Sequence, residues 1–223
     1  MINNILKAIP HIALFDSRKD AAEKIYKFAL SYGLSYDVIA FLPMGGQPIS
    51  DVFTGYNHSL ASLPLPVKKI PLLHNPLFGI GAIDINGAPI INTEIVNSFH
   101  ISSTELDESI TVARKKQTEL FNYYKLTANN LMNQIRGRVL IVDDGLASGY
   151  TLLAAINSLY QNPRVTDICC LLPVSHFSGI QLIRNKFKNI QIYSLYTDFS
   201  SKYVVDYFYK EFPDLILEEG GFH

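Results

Sequence analysis

Two adjacent carboxylates followed by a short glycine loop are the residues of this 223-residue sequence best suited to chemistry. Asp143 and Asp144 come directly after the apolar residues 139–142, and the loop 145–149 follows them. The carboxylates can accept hydrogen bonds from two vicinal hydroxyls. The loop leads into a predicted helix, so its backbone N–H groups favour an anion, and Ser148 and Thr151 add hydroxyl donors. This order of acceptors and donors fits a ribose 5-phosphate.

Three other interpretations of residues 139–151 are weaker. The sequence lacks the Gly-x-x-x-x-Gly-Lys-[Ser/Thr] pattern of a Walker loop. A phosphoreceiver domain also begins with an apolar strand and an acidic pair, but residues 182–194 supply no carboxylate for its later strands. A plain strand, polar turn and helix is the structural alternative, and the paired acids with a Gly/Ser loop argue against it.

The elements that must position these residues alternate between apolar strands and amphipathic helices. Strands are predicted over residues 37–42, 138–143, 167–174 and 190–196, with helices over 49–56, 105–135, 151–160 and 176–187 after a first helix from Ser17 to Gly33. A Pro- and Leu-rich stretch, residues 60–77, leads to a hairpin of residues 78–85 and 90–96 that turns at Asn86-Gly87. Continuous strands between helices predict an α/β fold, with a doubly wound, mainly parallel sheet and a β-hairpin insertion.

Composition limits the classes of partner. The formal net charge is −1, with 19 basic and 20 acidic residues, so no broad basic field exists for a nucleic acid. No apolar run approaches the roughly 18 residues that span a bilayer. Cys169 and Cys170 are adjacent and fit core packing in a reducing compartment. The first residues carry no cleavage signal, so we expect a cytoplasmic protein with no membrane and no nucleic-acid partner.

Residues 139–151 resemble the phosphoribosyl-pyrophosphate (PRPP) signature of type I phosphoribosyltransferases. That signature has four apolar residues, two acids, three variable residues and Thr/Ser-Gly-x-Thr/Ser, and every constrained position is met. Leu-Pro-Met-Gly-Gly-Gln-Pro at 42–48, Val-Lys-Lys-Ile at 67–70 and Tyr-Thr-Asp-Phe at 196–199 resemble motifs of a bacterial and archaeal subgroup. Together the matches cover roughly residues 11 to 200.

The resemblance implies an enzyme of the pentosyltransferase class. It would transfer the 5-phosphoribosyl group from PRPP to a nucleobase-like, small-molecule acceptor and release pyrophosphate, with Mg²⁺ bound through PRPP and no direct protein ligand. The family fold implies one phosphoribosyltransferase domain over residues 1–223, with a core at about 35–200 and a small hood from the terminal segments. We also expect a homo-oligomer, in the form of a dimer.

The same resemblance assigns binding roles, and no catalytic residue. Asp143 and Asp144 hold the ribose hydroxyls. The 5-phosphate loop is Ala147, Ser148, Gly149, Tyr150 and Thr151, the pyrophosphate site is Met44, Gly45, Gly46, Lys68 and Lys69, and the acceptor region contains Val174, His176, Tyr196 and Asp198.

Several of these residues also fit purely structural roles. The glycine pair 45–46 also fits an ordinary turn, and Lys68 and Lys69 also fit a solvated pair. His176 can instead cap a helix, and Tyr196 can instead pack in the core. The basic run 114–116 lies where family members carry a mobile lid, so residues 98–136 are either a lid or a rigid helix with a solvated face.

Departures from the family pattern keep other functions open. Met44 replaces the basic residue of the pyrophosphate loop, and Tyr150 is bulkier than the small residue usual there. Ala147 stands where hypoxanthine-guanine enzymes carry an Asp, which argues against purine salvage of that type. The alternatives are a non-catalytic regulatory protein that senses PRPP or a nucleotide, and hydrolysis of PRPP by water.

Overall fold

The computed structural model describes residues 13–200 and 205–210. Its elements in chain order are α1 (Arg18–Ser31), β1 (Val38–Phe41), α2 (Gly46–Tyr56), β2 (Ala61–Pro64), β3 (Lys68–Leu72), β4 (Asn75–Ile83), β5 (Pro89–Ile91), α3 (Thr93–Ser98), α4 (Ser103–Tyr123), α5 (Ala128–Gln134), β6 (Gly137–Val142), α6 (Tyr150–Tyr160), β7 (Val165–His176), α7 (Phe177–Lys186), β8 (Gln191–Asp198) and a 3-10 helix (Val205–Phe208). None of the described helices is both long and apolar enough to cross a membrane.

The larger sheet has five strands in the order β2-β1-β6-β7-β8, and every neighbouring pair is parallel. Val38 of β1 is opposite Val139 of β6, and Phe41 is opposite Val142, so the two central strands end at the same edge. All four residues of β1 and the last four of β6 are buried, as continuous apolar runs predict. The predicted parallel sheet is confirmed.

Helices cover both faces of this sheet. Because successive side chains of a strand point to opposite sides of the sheet, β1 and β6 contribute side chains to two hydrophobic clusters, one on each face. Ile39 and Leu140 pack with α1 and α2 on one side. Ala40 and Ile141 pack with α5, α6 and α7 on the other. The doubly wound arrangement is therefore also confirmed.

The smaller sheet is antiparallel, in the order β3-β4-β5, and contains the predicted hairpin. The Gly87 N–H donates to the Asp84 carbonyl at 2.9 Å, and Gly87 adopts φ 78° in the turn. Helix α4 packs on this sheet through Ile110 and Ala113. The Gln117 amide nitrogen donates to the carbonyls of Pro66 and Asp84 at 2.6 Å each, which fixes the helix to the hairpin.

The single helix predicted over residues 105–135 is wrong, because two helices, α4 and α5, occupy this region. Lys125 adopts φ 54° and ends α4, and the Leu126 N–H then donates to the Phe121 carbonyl at 2.9 Å. The Thr127 side chain accepts from the Asn130 N–H and starts α5. Helices commonly end on such a left-handed residue, but here it is not the glycine that signals the break in a sequence.

The second hairpin strand is shorter than predicted, and the prediction of strand over residues 92–96 is wrong. Strand β5 ends at Ile91, and the Asn92 side chain accepts from the Ile95 N–H to cap α3. The capping side chain overrides the β-branched composition of this run. Residues 60–77, for which no strand was predicted, contain β2 and β3.

The two ends of the described chain pair with each other. The N–H groups of Leu14 and Phe15 donate to the Phe208 carbonyl at 2.9 and 3.0 Å, and the Lys210 N–H donates to the Phe15 carbonyl at 2.9 Å. This pairing brings the start of α1 beside the 3-10 helix. The rest of the predicted hood, residues 1–12, 201–204 and 211–223, lies outside the described residues, and the domain division stays a prediction.

Candidate functional site

The acid pair lies at the carboxyl edge of the larger sheet. Asp143 and Asp144 follow the last residue of β6, and the neighbouring strand β1 ends beside them at Phe41. Ligands of open α/β sheets bind in the crevice outside the carboxyl ends of the strands. The structure therefore brings the acid pair to the edge that the sequence predicted.

The glycine loop after β1 is in contact with both acids. A Cβ atom on Gly45 would lie 2.8 Å from Asp143 Oδ1 and closer still to Asp144 Oδ1. A Cβ atom on Gly46 would lie 2.6 Å from the Val142 carbonyl. This approach is possible only for glycine, and Met44 just before it adopts φ 79°. Helix α2 begins at Gly46, so its positive end lies beside the acids.

The two acids interact unfavourably as a pair of anions. The Asp144 N–H donates to Asp143 Oδ1 at 2.9 Å. Burial, and then the charge of Asp144, raise the pKa of Asp143 well above its ordinary value. Burial also raises the pKa of Asp144, and Arg18 opposes that shift. Hydroxyl donors from a ligand would stabilise both carboxylates.

The loop after the acids is anchored at its two ends. The Leu146 N–H donates to the Val174 carbonyl at 3.0 Å, and the His176 N–H donates to the Leu146 carbonyl at 2.7 Å. Gly149 adopts φ 88° at the N-cap of α6. A Cβ atom on Gly149 would lie 2.9 Å from the Gly179 carbonyl oxygen in α7. The loop is thus held by β7 on one side and by α7 on the other.

Between these anchors the loop presents unpaired donors. Among the described residues, no oxygen accepts a hydrogen bond from the backbone N–H groups of residues 147–152. Ala147 and Ser148 are exposed, while Tyr150 and Thr151 are half-buried. The Tyr150 ring packs against the apolar cluster shared by α5, α6 and α7. The row of N–H groups at the start of an 11-residue helix suits a phosphate.

Three residues at this site carry no signal in the sequence that would have predicted them: Arg18, Asp206 and Tyr209. Arg18 Nε donates to Asp144 Oδ2 at 2.7 Å, and its Nη2 donates to Asp206 Oδ1 at 2.8 Å. The Tyr209 hydroxyl donates to the Asp144 carbonyl at 2.6 Å. In the sequence, Arg18 follows the N-cap Ser17 and indicates only the beginning of a helix. No local pattern links it to residues more than a hundred positions away.

The predicted pyrophosphate lysines open strand β3. The connection to them leaves the same sheet edge, because the Leu65 N–H donates to the Phe41 carbonyl at 2.8 Å. Lys68 is half-buried and Lys69 is exposed. The Lys69 stem covers Gly79, where a Cβ atom would lie 2.8 Å from Lys69 Cγ. A pyrophosphate role for these lysines stays a prediction.

The basic run 114–116 lies on the exposed face of α4. Arg114 Nε donates to the Gly87 carbonyl at 3.1 Å, which ties the run to the hairpin turn. The opposite face of α4 is buried against the smaller sheet at Ser109, Ile110 and Ala113. In this structure the segment is a packed helix with a solvated face.

The predicted acceptor region lies at the ends of β7 and β8. His176 Nδ1 lies 2.6 Å from Ser178 Oγ and caps α7, while Nε2 lies 2.7 Å from the Ser200 carbonyl oxygen. The Tyr196 ring packs 5.3 Å from that of Phe208. The structural roles, helix capping for His176 and ring packing for Tyr196, therefore correspond to observed contacts. Asp198 accepts from the Ser200 hydroxyl at 2.6 Å, and Val174 is buried.

Comparison with known proteins gives relatives in sequence and in structure. Two curated Mycobacterium tuberculosis proteins, from strains CDC 1551 and H37Rv, are 30% identical to this chain over 145 residues. Both are named "Putative phosphoribosyl transferase". The match covers 64% of this chain and 32% of each relative, so the chain aligns with about a third of their length. No family model matches the chain.

The fold is similar to that in the crystal structure of TT1426 from Thermus thermophilus, with a TM-score of 0.62 and 20% sequence identity. The superposition covers 90% of this chain and 92% of TT1426. The AQ2163 protein from Aquifex aeolicus is similar with a TM-score of 0.50 at 11% identity, over 81% and 73%. These likenesses establish a shared fold. The names of the sequence relatives agree with the resemblance that residues 139–151 carry.

Proposed function

We propose that the protein is a phosphoribosyltransferase that uses PRPP and a nucleobase-like acceptor. One observation carries the proposal: an acid pair, a glycine backbone in contact with both acids, and a loop of unpaired N–H groups meet at one sheet edge. The first would accept the ribose hydroxyls and the last would hold the 5-phosphate. The names of the two mycobacterial relatives support the same activity.

The proposed reaction forms one bond and breaks one bond at C1 of the ribose. An acceptor nitrogen bonds to C1 as the bond from C1 to the pyrophosphate oxygen breaks, and pyrophosphate leaves with that electron pair. The nitrogen then loses its proton to solvent. Positive charge develops on the sugar in the transition state, where the carboxylates of Asp143 and Asp144 would stabilise it. The backbone at Gly45 and Gly46 would lie beside the leaving group.

Mg²⁺ would enter the proposed site together with the substrate, bound through the phosphates of PRPP. The described residues form no cluster of three acidic, His or Cys side chains that could enclose a metal ion. Mg²⁺ is commonly held by substrate phosphates with few protein ligands. Bound to PRPP, it would neutralise charge on the pyrophosphate, a task for which Met44 offers no cation.

The test is pyrophosphate release from PRPP with Mg²⁺ and single nucleobases. We expect release that depends on one base or a small set of bases. Asp144→Asn should weaken PRPP binding by about tenfold or more, because a hydrogen bond to a charged group is worth about 1.5–3 kcal/mol. Asp167→Asn is the matched control, since Asp167 is exposed near the opposite edge of the same sheet. Equal PRPP binding by wild type and Asp144→Asn would refute the site.

A regulatory protein that senses PRPP or a nucleotide is the second candidate. Met44 favours it, because the residue that precedes the glycine pair is uncharged and adopts φ 79°. PRPP binding without turnover for any acceptor would support this function. Pyrophosphate release in the absence of any base would instead indicate hydrolysis.

A further inference from the structure

We propose that Arg18 is a positioning residue that presents one oxygen of Asp144 to the ribose hydroxyls and so makes the site select a ribosyl over a deoxyribosyl ligand. The inference rests on the proposed function and adds a residue to its sugar site. Arg18 belongs to α1 and lies outside both glycine loops, 126 positions before Asp144. Its role follows from its hydrogen bond to Oδ2 of Asp144, one of the two oxygens of that carboxylate.

The two oxygens of Asp144 face different partners. Oδ2 accepts from Arg18 Nε at 2.7 Å. Oδ1 lies on the side of Gly45, where even a Cβ atom would be too close to it. The side chains of Asp143 and Asp144 also hydrogen-bond to each other. With Oδ2 held by the guanidinium, a ligand hydroxyl would bind at Oδ1 and replace this contact between the two acids. A carboxylate without this partner would rotate about its terminal torsion, which is broad and roughly two-fold.

Asp206 and Tyr209 also contact the Arg18 side chain. Its Nη2 donates to Asp206 Oδ1 at 2.8 Å, and its guanidinium carbon lies 4.8 Å from the centre of the Tyr209 ring. The Tyr209 hydroxyl donates to the Asp144 carbonyl, so the same ring also fixes the backbone of the acid. The side chains of Arg18 and Asp144 are each only 14% exposed. This limited solvent access strengthens the ion pair relative to one at the surface.

Loss of Arg18 should affect the sugar hydroxyls and spare the phosphate. Asp143 is the residue next to Asp144, and without Arg18 the two carboxylates would repel each other with less compensation. The phosphate loop has separate anchors on β7 and α7, at Leu146 and Gly149. A selective effect on hydroxyl recognition therefore distinguishes positioning from a general structural role.

The experiment measures the binding of ribose 5-phosphate, 2-deoxyribose 5-phosphate and inorganic phosphate by titration calorimetry. Wild type should prefer ribose 5-phosphate over its deoxy analogue by about tenfold, the worth of one charge-assisted hydrogen bond. Arg18→Ala should bring this ratio close to one and leave the affinity for inorganic phosphate within about twofold of wild type, since phosphate binds to backbone donors. Arg138→Ala is the control, because Arg138 pairs with Asp37 at the other end of β6.

Asp206→Ala provides a second test that keeps Arg18 in place. Because it removes the carboxylate that accepts from Arg18 Nη2, we expect a ratio between those of wild type and Arg18→Ala. Melting curves confirm that each variant is folded before titration. An unchanged ratio in folded Arg18→Ala, an equal loss for all three ligands, or tighter sugar binding would overturn the positioning role. A wild type that binds neither sugar phosphate nor PRPP would overturn the proposed function itself.

Discussion

Alanine at Gly45 should separate ligand binding from folding. A Cβ atom there would lie 2.8 Å from Asp143 Oδ1, so that oxygen must retreat by about 0.6 Å to reach an ordinary contact of 3.4 Å, and Asp144 Oδ1 must retreat further. Gly45 has φ −65° and ψ −43°, which alanine adopts without strain. The substitution therefore displaces the two carboxylates and leaves the backbone intact.

The expected loss of PRPP affinity is large compared with the loss of stability. If one hydroxyl contact is lost, the dissociation constant rises by about 10- to 100-fold, from roughly 1.5–3 kcal/mol per charge-assisted hydrogen bond. Gly45 is also the N-cap of α2, and alanine in that position costs about 1 kcal/mol or less of stability, or about 2–4 °C in Tm.

Calorimetric titration with PRPP and Mg²⁺, together with thermal unfolding, measures both quantities. Gly55→Ala in the same helix is the matched control, because a Cβ atom there meets no heavy atom within 4 Å. It should keep the wild-type dissociation constant and gain about 0.5–1 kcal/mol of stability. A folded Gly45→Ala protein with wild-type PRPP affinity would show that these carboxylates do not hold the ligand.

Two further predictions concern stability. Gly149→Ala should lower the free energy of unfolding by about 2 kcal/mol or more in urea titrations, because alanine at φ 88° is strained and its Cβ meets the Gly179 carbonyl. Gly33→Ala is the control, since Gly33 has φ 62° and a Cβ atom there meets nothing within 4 Å, so this variant should show the backbone strain alone. Equal losses of stability in the two variants would contradict the packing argument. The raised pKa of Asp143 means that its carboxyl favours folding below the ordinary value of 3.8, and this contribution is lost as the pH rises through the folded value. Asp143→Asn should therefore gain stability over wild type as the pH increases above 3.8, and parallel pH profiles for the two proteins would speak against the buried acid pair.

The sequence predicted the elements whose signals are local. Residues 139–142 are apolar at every position, so residue types alone place β6 and the acids at its end. The hairpin turn at Asn86-Gly87 was equally direct. The break at Lys125 was not, because a left-handed lysine carries no signal of its own.

The sequence could not predict the contacts that join distant segments. Arg18 and Asp144 are 126 positions apart, and only the tertiary fold makes them an ion pair. The close approach of Gly45 to both acids depends on the parallel register of β1 and β6. The composition of the two glycine loops indicated their chemistry, while their mutual distance required the structure.

The contacts of Arg18 with Asp144 and Asp206 also join segments of the chain that are translated at different times. Arg18 emerges from the ribosome early, but its second partner is 188 residues further along the chain. Consider a nascent chain that includes Asp144 but does not yet include Asp206. It contains both glycine loops and the Asp144 partner of Arg18, and it still lacks the Asp206 partner. The proposed sugar site is therefore completed among the last parts of the described chain to be translated, and a chain that ends before Asp206 would lack the carboxylate that accepts from Arg18 Nη2.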